Sequence, residues 1–81
     1  MIISDHAYEE MHKSNINEGE VKQCLEHGKI EIKQIVNGEV RYGKKLELKN
    51  QTIVVIYTLR NNEERIITVY PIRRKKTWQK K

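Results

Sequence analysis

The chain changes its hydrophobic period once, at Lys29, and that one change sets most of what it can fold into. Up to Gly28 the apolar residues recur at helical spacing, Ala7 with Met11 and then Val21 with Cys24 and Leu25. From Lys29 onward they alternate, and three turn signals, Asn37-Gly38, Asn50-Gln51 and Asn61-Asn62, cut the remainder into four strands. Helices first and strands afterwards exclude a parallel βαβ arrangement and predict an α+β domain. Its 81 residues hold a single small core, burying roughly 60 to 65% of the surface of the unfolded chain.

Both helices carry end signals. Ser4 caps the first, with Asp5 in its first turn. Asn17 with Glu20 forms a capping box for the second, Ile16 and Val21 form its hydrophobic staple, and Gly28 is expected as a left-handed C-terminal cap. Cys24 lies in the buried stripe of this helix and reads as a small core residue. The strands "TIVVIYTLR" and "ERIITVYP" are apolar on both faces, which predicts central positions in an antiparallel meander packed on the helix pair. Met1 to Ser4 is a candidate for a short extra edge strand.

Two-residue turns fix which residues share a side of that sheet. They place Val40, Tyr42, Leu46, Leu48, Val55, Tyr57, Leu59, Ile66, Thr68 and Tyr70 toward the helices. The other side then receives Arg41, Lys45, Arg60 and Arg65 with Gly43 and Thr58, and Arg41 is expected opposite Arg60. Facing cations repel, which leaves either an anion between them or partnership with a glutamate such as Glu39, Glu63 or Glu64.

Charge follows the same division. Residues 1–28 carry two lysines against six acids, whereas residues 29–81 carry fourteen Lys and Arg against five glutamates. Pro71 closes the final strand and nothing after Ile72 shows an apolar period, which predicts a domain over 1–72 and a basic tail over 73–81, where Arg73, Arg74, Lys75 and Lys76 accompany Trp78. Such a cationic half attracts polyanions such as nucleic acid, while the same charges also serve plain solubility. Trp78 is suited either to stacking on an unpaired base or to packing on the sheet edge. No apolar run is long enough to span a bilayer, the N-terminus lacks the pattern of a signal peptide, and one cysteine fits a cytoplasmic protein. His12 is off the face of His6 and His27 stands at a helix end, so neither a metal site nor a cofactor is expected.

The segment "SDHAYEEMHKSNINEGEV" resembles the opening S-x-H-A-x-x-R-M-x-x-R-G-I-x-x-x-x-V of domain-of-unknown-function family 4258, and "ITVYP" resembles that family's last strand. His6, Ala7, Met11, Ile16, Val21, Thr68, Tyr70 and Pro71 carry the similarity. Glu10 and Ser14 stand where that pattern has arginines, and Asn15 stands where it has glycine. More loosely, "KSNINEGEV", "VRYGKKLEL", "YTLR" and "RIITVYPIRR" follow the order of BrnT-type toxins of the RelE/ParE group, with Arg41, Arg60 and Arg65 at the basic positions. This resemblance implies two helices on a twisted antiparallel four-stranded sheet, metal-independent RNA cleavage and neutralisation by a cognate antitoxin protein.

Cleavage of that kind needs a base for the 2′-hydroxyl, cations for the phosphorane and an acid for the leaving oxygen. His6 is the candidate base, Arg41 and Arg60 the candidate cations, and Tyr70 a candidate acid or stacking platform. Lys45, Arg65, Arg73, Arg74, Lys75, Lys76 and Trp78 are candidates for RNA binding. Simple parity sets Tyr70 on the face away from Arg41, a conflict that a bulge near Gly43 would remove. Two competing readings keep the fold and change the role: a non-enzymatic module that binds nucleic acid or protein while His6 only closes a helix turn, and a toxin that acts on a protein.

Overall fold

The computed structural model describes residues 1–72. Strand β1 (Ile2–Ile3) leads into helix α1 (Asp5–Ser14) and helix α2 (Glu18–His27), followed by β2 (Lys29–Val36), β3 (Glu39–Glu47), β4 (Thr52–Arg60) and β5 (Glu63–Ile72). The sheet is five-stranded and mixed, in the order β1-β5-β4-β3-β2, with β1 parallel to β5 and the other pairs antiparallel. The α+β class and both helices follow the sequence reading, while the expected four-stranded antiparallel sheet gains the N-terminal edge strand. As the apolar composition of β4 and β5 requires, these two occupy the interior of the sheet.

Local chemistry accounts for the helix ends. The Ser4 hydroxyl accepts from the Ala7 N–H (3.1 Å), and Asn17 and Glu20 form both halves of the capping box (2.8 and 3.0 Å). Asn15 ends α1 in the left-handed region (φ 58°), the conformation the family pattern meets with glycine and that asparagine tolerates. Gly28 does not take the expected left-handed cap; it is extended (φ −73°, ψ 167°). Its requirement is close approach instead, since a Cβ there would lie 2.5 Å from the Cys24 carbonyl oxygen and 2.9 Å from that of Lys45.

The core lies between the helices and one face of the sheet. Ala7, Met11, Ile16, Val21, Cys24 and Leu25 meet Ile53, Val55, Tyr57, Ile66 and Val69. Each fully buried Ile or Val stabilises the fold by roughly 1.5 to 3 kcal/mol. Lys44 shares this face, and its ammonium donates to the Leu25 carbonyl (2.6 Å), satisfying a carbonyl at the end of α2. Leu59, expected in the core, is half exposed, at the end of β4 beside the Asn61-Asn62 turn. No helix among the described residues is long and apolar enough to cross a membrane.

Two features of register decide which side chains share the open face. Leu48 N–H donates to the Gln51 carbonyl (2.7 Å), so the second hairpin turns over Lys49-Asn50, one residue earlier than expected. Every β3–β4 partner thereby shifts by two: Thr58, not Arg60, stands opposite Arg41, and the faces are preserved. In β5 a bulge at Ile67 lets Tyr57 pair with Ile66 while Ile56 pairs with Thr68. Beyond it parity inverts. Val69 turns into the core, and Thr68 and Tyr70 turn to the face of Arg41, against the expectation that placed them with the helices.

Candidate functional site: a cleft at the start of the first helix

The Ile67 bulge and the cap of α1 are one construction. The Ser4 N–H donates to the Ile66 carbonyl (3.1 Å) and its hydroxyl donates to the Ile67 carbonyl (3.2 Å), while the same hydroxyl caps the helix. This pins the first turn of α1, and His6 within it, to the rim of the open sheet face. A cleft of about 450 Å³ forms there. His6 from α1, Arg41 from β3, Arg60 from β4 and Arg65 from β5 line it, with Thr58 at the centre and Glu39 on the wall.

Register explains the convergence, because Arg41, Thr58 and Arg65 form one continuous cross-strand row. Thr58 is buried and spends its hydroxyl on the Val40 carbonyl (2.8 Å), so it contributes shape rather than a free donor. Among the described residues, the Nε atoms of Arg41 and Arg65 are buried without a hydrogen-bond partner. Arg41 Nε lies 3.7 Å from Glu39 Oε1, an ion pair but too long for a hydrogen bond. Arg60 is held instead: its Nε (3.2 Å) and Nη2 (2.9 Å) both donate to Glu39 Oε2. For Arg60 the glutamate partnership of the sequence reading is therefore the one realised.

Tyr70 and Lys45 are not in this cleft. They share a second row, Lys45, Val54 and Tyr70, four residues along β4 and thus about 13 Å away. Lys45 is paired with Glu31 (3.7 Å). The bulge puts Tyr70 on the face of Arg41 but at the far end of it, so Tyr70 does not sit with His6 as an acid for the same phosphate. Arg73, Arg74, Lys75, Lys76 and Trp78 lie outside the described residues. A larger opening, about 670 Å³, is lined by the Leu48–Thr52 segment with Ser14, Pro71 and Ile72. Among the described residues it is lined by no histidine or arginine.

Glu39 and Lys44 are what sequence reasoning underused. Parity alone places Glu39 beside Arg41 on the open face and Lys44 toward the helices. Among the described residues, no three His, Cys, Asp or Glu side chains come together as a metal site would require. Cys24 is fully buried, donates to the Lys44 carbonyl (3.3 Å), and is pushed up to about 11 by burial, with a backbone contact at Val55 and the Lys44 charge opposing the shift. It is a packing residue rather than a nucleophile.

A small α+β domain with a guanidinium-lined cleft, closed at one side by a helix start, is what the fold and site define. The chain belongs to the family described as domain of unknown function (DUF4258), whose family model matches residues 3–71. No curated protein and no solved structure matches it.

Proposed function

We propose that this protein binds RNA through the His6 cleft and cleaves it as a metal-independent, toxin-like endoribonuclease. The observation that carries the reading is the convergence of His6, Arg41 and Arg65 on one cleft, with two buried guanidinium Nε–H groups that have no hydrogen-bond acceptor among the described residues. A phosphate oxygen is the acceptor whose geometry a guanidinium fork fits best. His6 takes the proton of a 2′-hydroxyl as the general base on the cleft rim. The 2′-oxygen forms a bond to phosphorus, the arginines stabilise the phosphorane, and the P–O5′ bond breaks. The leaving oxygen takes its proton from water in the open cleft. Tyr70 stacks a base farther along the strand, and a cognate antitoxin covers the cleft when the protein is held silent.

A second reading, a non-enzymatic RNA-binding module, is favoured by one observation. Among the described residues, His6 makes no side-chain hydrogen bond that would orient its ring. The two readings separate in one assay. Purified protein with RNA and a chelator should yield fragments ending in a 2′,3′-cyclic phosphate. Binding without cleavage, on free RNA and on translating ribosomes alike, would leave the module.

A further inference from the structure

Glu39 is a carboxylate on the wall of a cleft that the preceding reading assigns to phosphate. Only about a quarter of its side chain is exposed (26%), against 59% for Arg60. Its Oε2 takes both donors of Arg60 and its Oε1 faces Arg41 at 3.7 Å. A fixed negative charge in that position has two effects. It neutralises one of three guanidinium groups, and it repels whatever anion enters in proportion to that anion's charge.

We infer that Glu39 sets the cleft for the singly charged phosphodiester inside an RNA chain and against the doubly charged phosphate at a chain end. The inference rests on the reading of the cleft as a phosphate site. Arg41 and Arg65 also line the cleft, their buried Nε atoms have no hydrogen-bond partner among the described residues, and their guanidinium groups remain to receive the entering group. A diester brings one negative charge and a terminal phosphate brings close to two at pH 8, because its second proton leaves near pH 6. Arg60 is already engaged with Glu39, and the repulsion from Glu39 on a dianion is about twice that on a diester, so the second charge gains less from Arg41 and Arg65 than the first. Glu39 is thus a specificity-determining residue that acts by charge, without contact with the reacting atoms.

The test uses the full chain and two probes at pH 8, titrated by NMR: a 2′-deoxy dinucleoside monophosphate, which holds one diester and cannot be cleaved, and a nucleoside 5′-monophosphate. Glu39→Gln keeps an oxygen acceptor for Arg60 and removes only the charge. The variant should gain affinity for the monophosphate by about three- to fivefold more than for the diester, the size of an incompletely buried charge interaction. An equal change for both probes, or none, overturns the inference. Glu39→Ala, which also removes the acceptor, guards the comparison: if Gln behaves as wild type while Ala loses both probes, Glu39 only holds Arg60 and the inference is overturned. Wild-type protein that binds neither probe overturns the phosphate reading itself, a result distinct from an unchanged preference.

Discussion

At the scale of single residues, the buried thiol of Cys24 offers the clearest dependence on pH. Burial holds its proton more tightly in the folded state, up to about 11, than in an unfolded chain, where a thiol titrates near 8.5. The folded state therefore binds more protons above that value, and the stabilisation is complete below about 8.5 and is lost as pH rises toward 11. Tyr57, raised chiefly by burial with a contribution from Glu64, acts in the same direction at the alkaline end. Urea midpoints should fall steadily between about pH 8.5 and 11, and an aromatic disulfide reagent at pH 8 should label Cys24 only as fast as the protein unfolds. Rapid labelling of the native protein would show the thiol to be accessible. His6 and the arginines were legible at this scale as residue types. Their pairing was not, because whether Arg41 faces Arg60 or Thr58 depends on one residue of turn position.

Among the elements, the junction of α1 with β5 does most to position the site, and Ser4 is its link. Ser4→Ala removes the helix cap and the donor to the Ile67 carbonyl together, a loss of about 1 to 2 kcal/mol in urea unfolding. Ser4→Thr, which keeps the hydroxyl, should lose much less. Equal loss in both variants would mean that the hydroxyl is not the link. Both helices, the capping box and the hairpin turns at Asn37-Gly38 and Asn61-Asn62 were readable, because asparagine and glycine declare the left-handed backbone that such turns need; all four have positive φ. Asn50 does not take a positive φ, so it marked the second hairpin without fixing its position, and the turn over Lys49-Asn50 was misplaced by one. The bulge at Ile67 left no mark either, since "RIITVY" is apolar enough to present either face. It is fixed by Ser4, more than sixty residues away in sequence. The left-handed cap expected at Gly28 failed for a related reason: glycine is needed there for backbone contact with Lys45, which belongs to another element.

For the molecule as a whole, the sequence after Ile72 shows no apolar period, so deleting residues 73–81 should leave the melting temperature nearly unchanged. If about four tail cations touch phosphates, the deletion should reduce the slope of log affinity against log salt by roughly 3, at about 0.7 per contact on single strands. An unchanged slope would leave binding to the cleft alone. The open face is less cationic than the sequence implies, because Glu39 and Glu31 engage Arg60 and Lys45, and among the described residues Arg41 and Arg65 keep buried donors unfilled. The central claim is that this cleft both holds RNA phosphate and performs proton transfer through His6, and it is tested most directly by measuring cleavage rate and RNA affinity together for His6→Ala and Arg65→Ala. The account predicts that His6→Ala binds RNA nearly as wild type while cleaving about 10² to 10⁴-fold more slowly, and that Arg65→Ala loses both affinity and rate without loss of stability. Cleavage that persists in His6→Ala, or an Arg65→Ala protein with undiminished affinity, would contradict it.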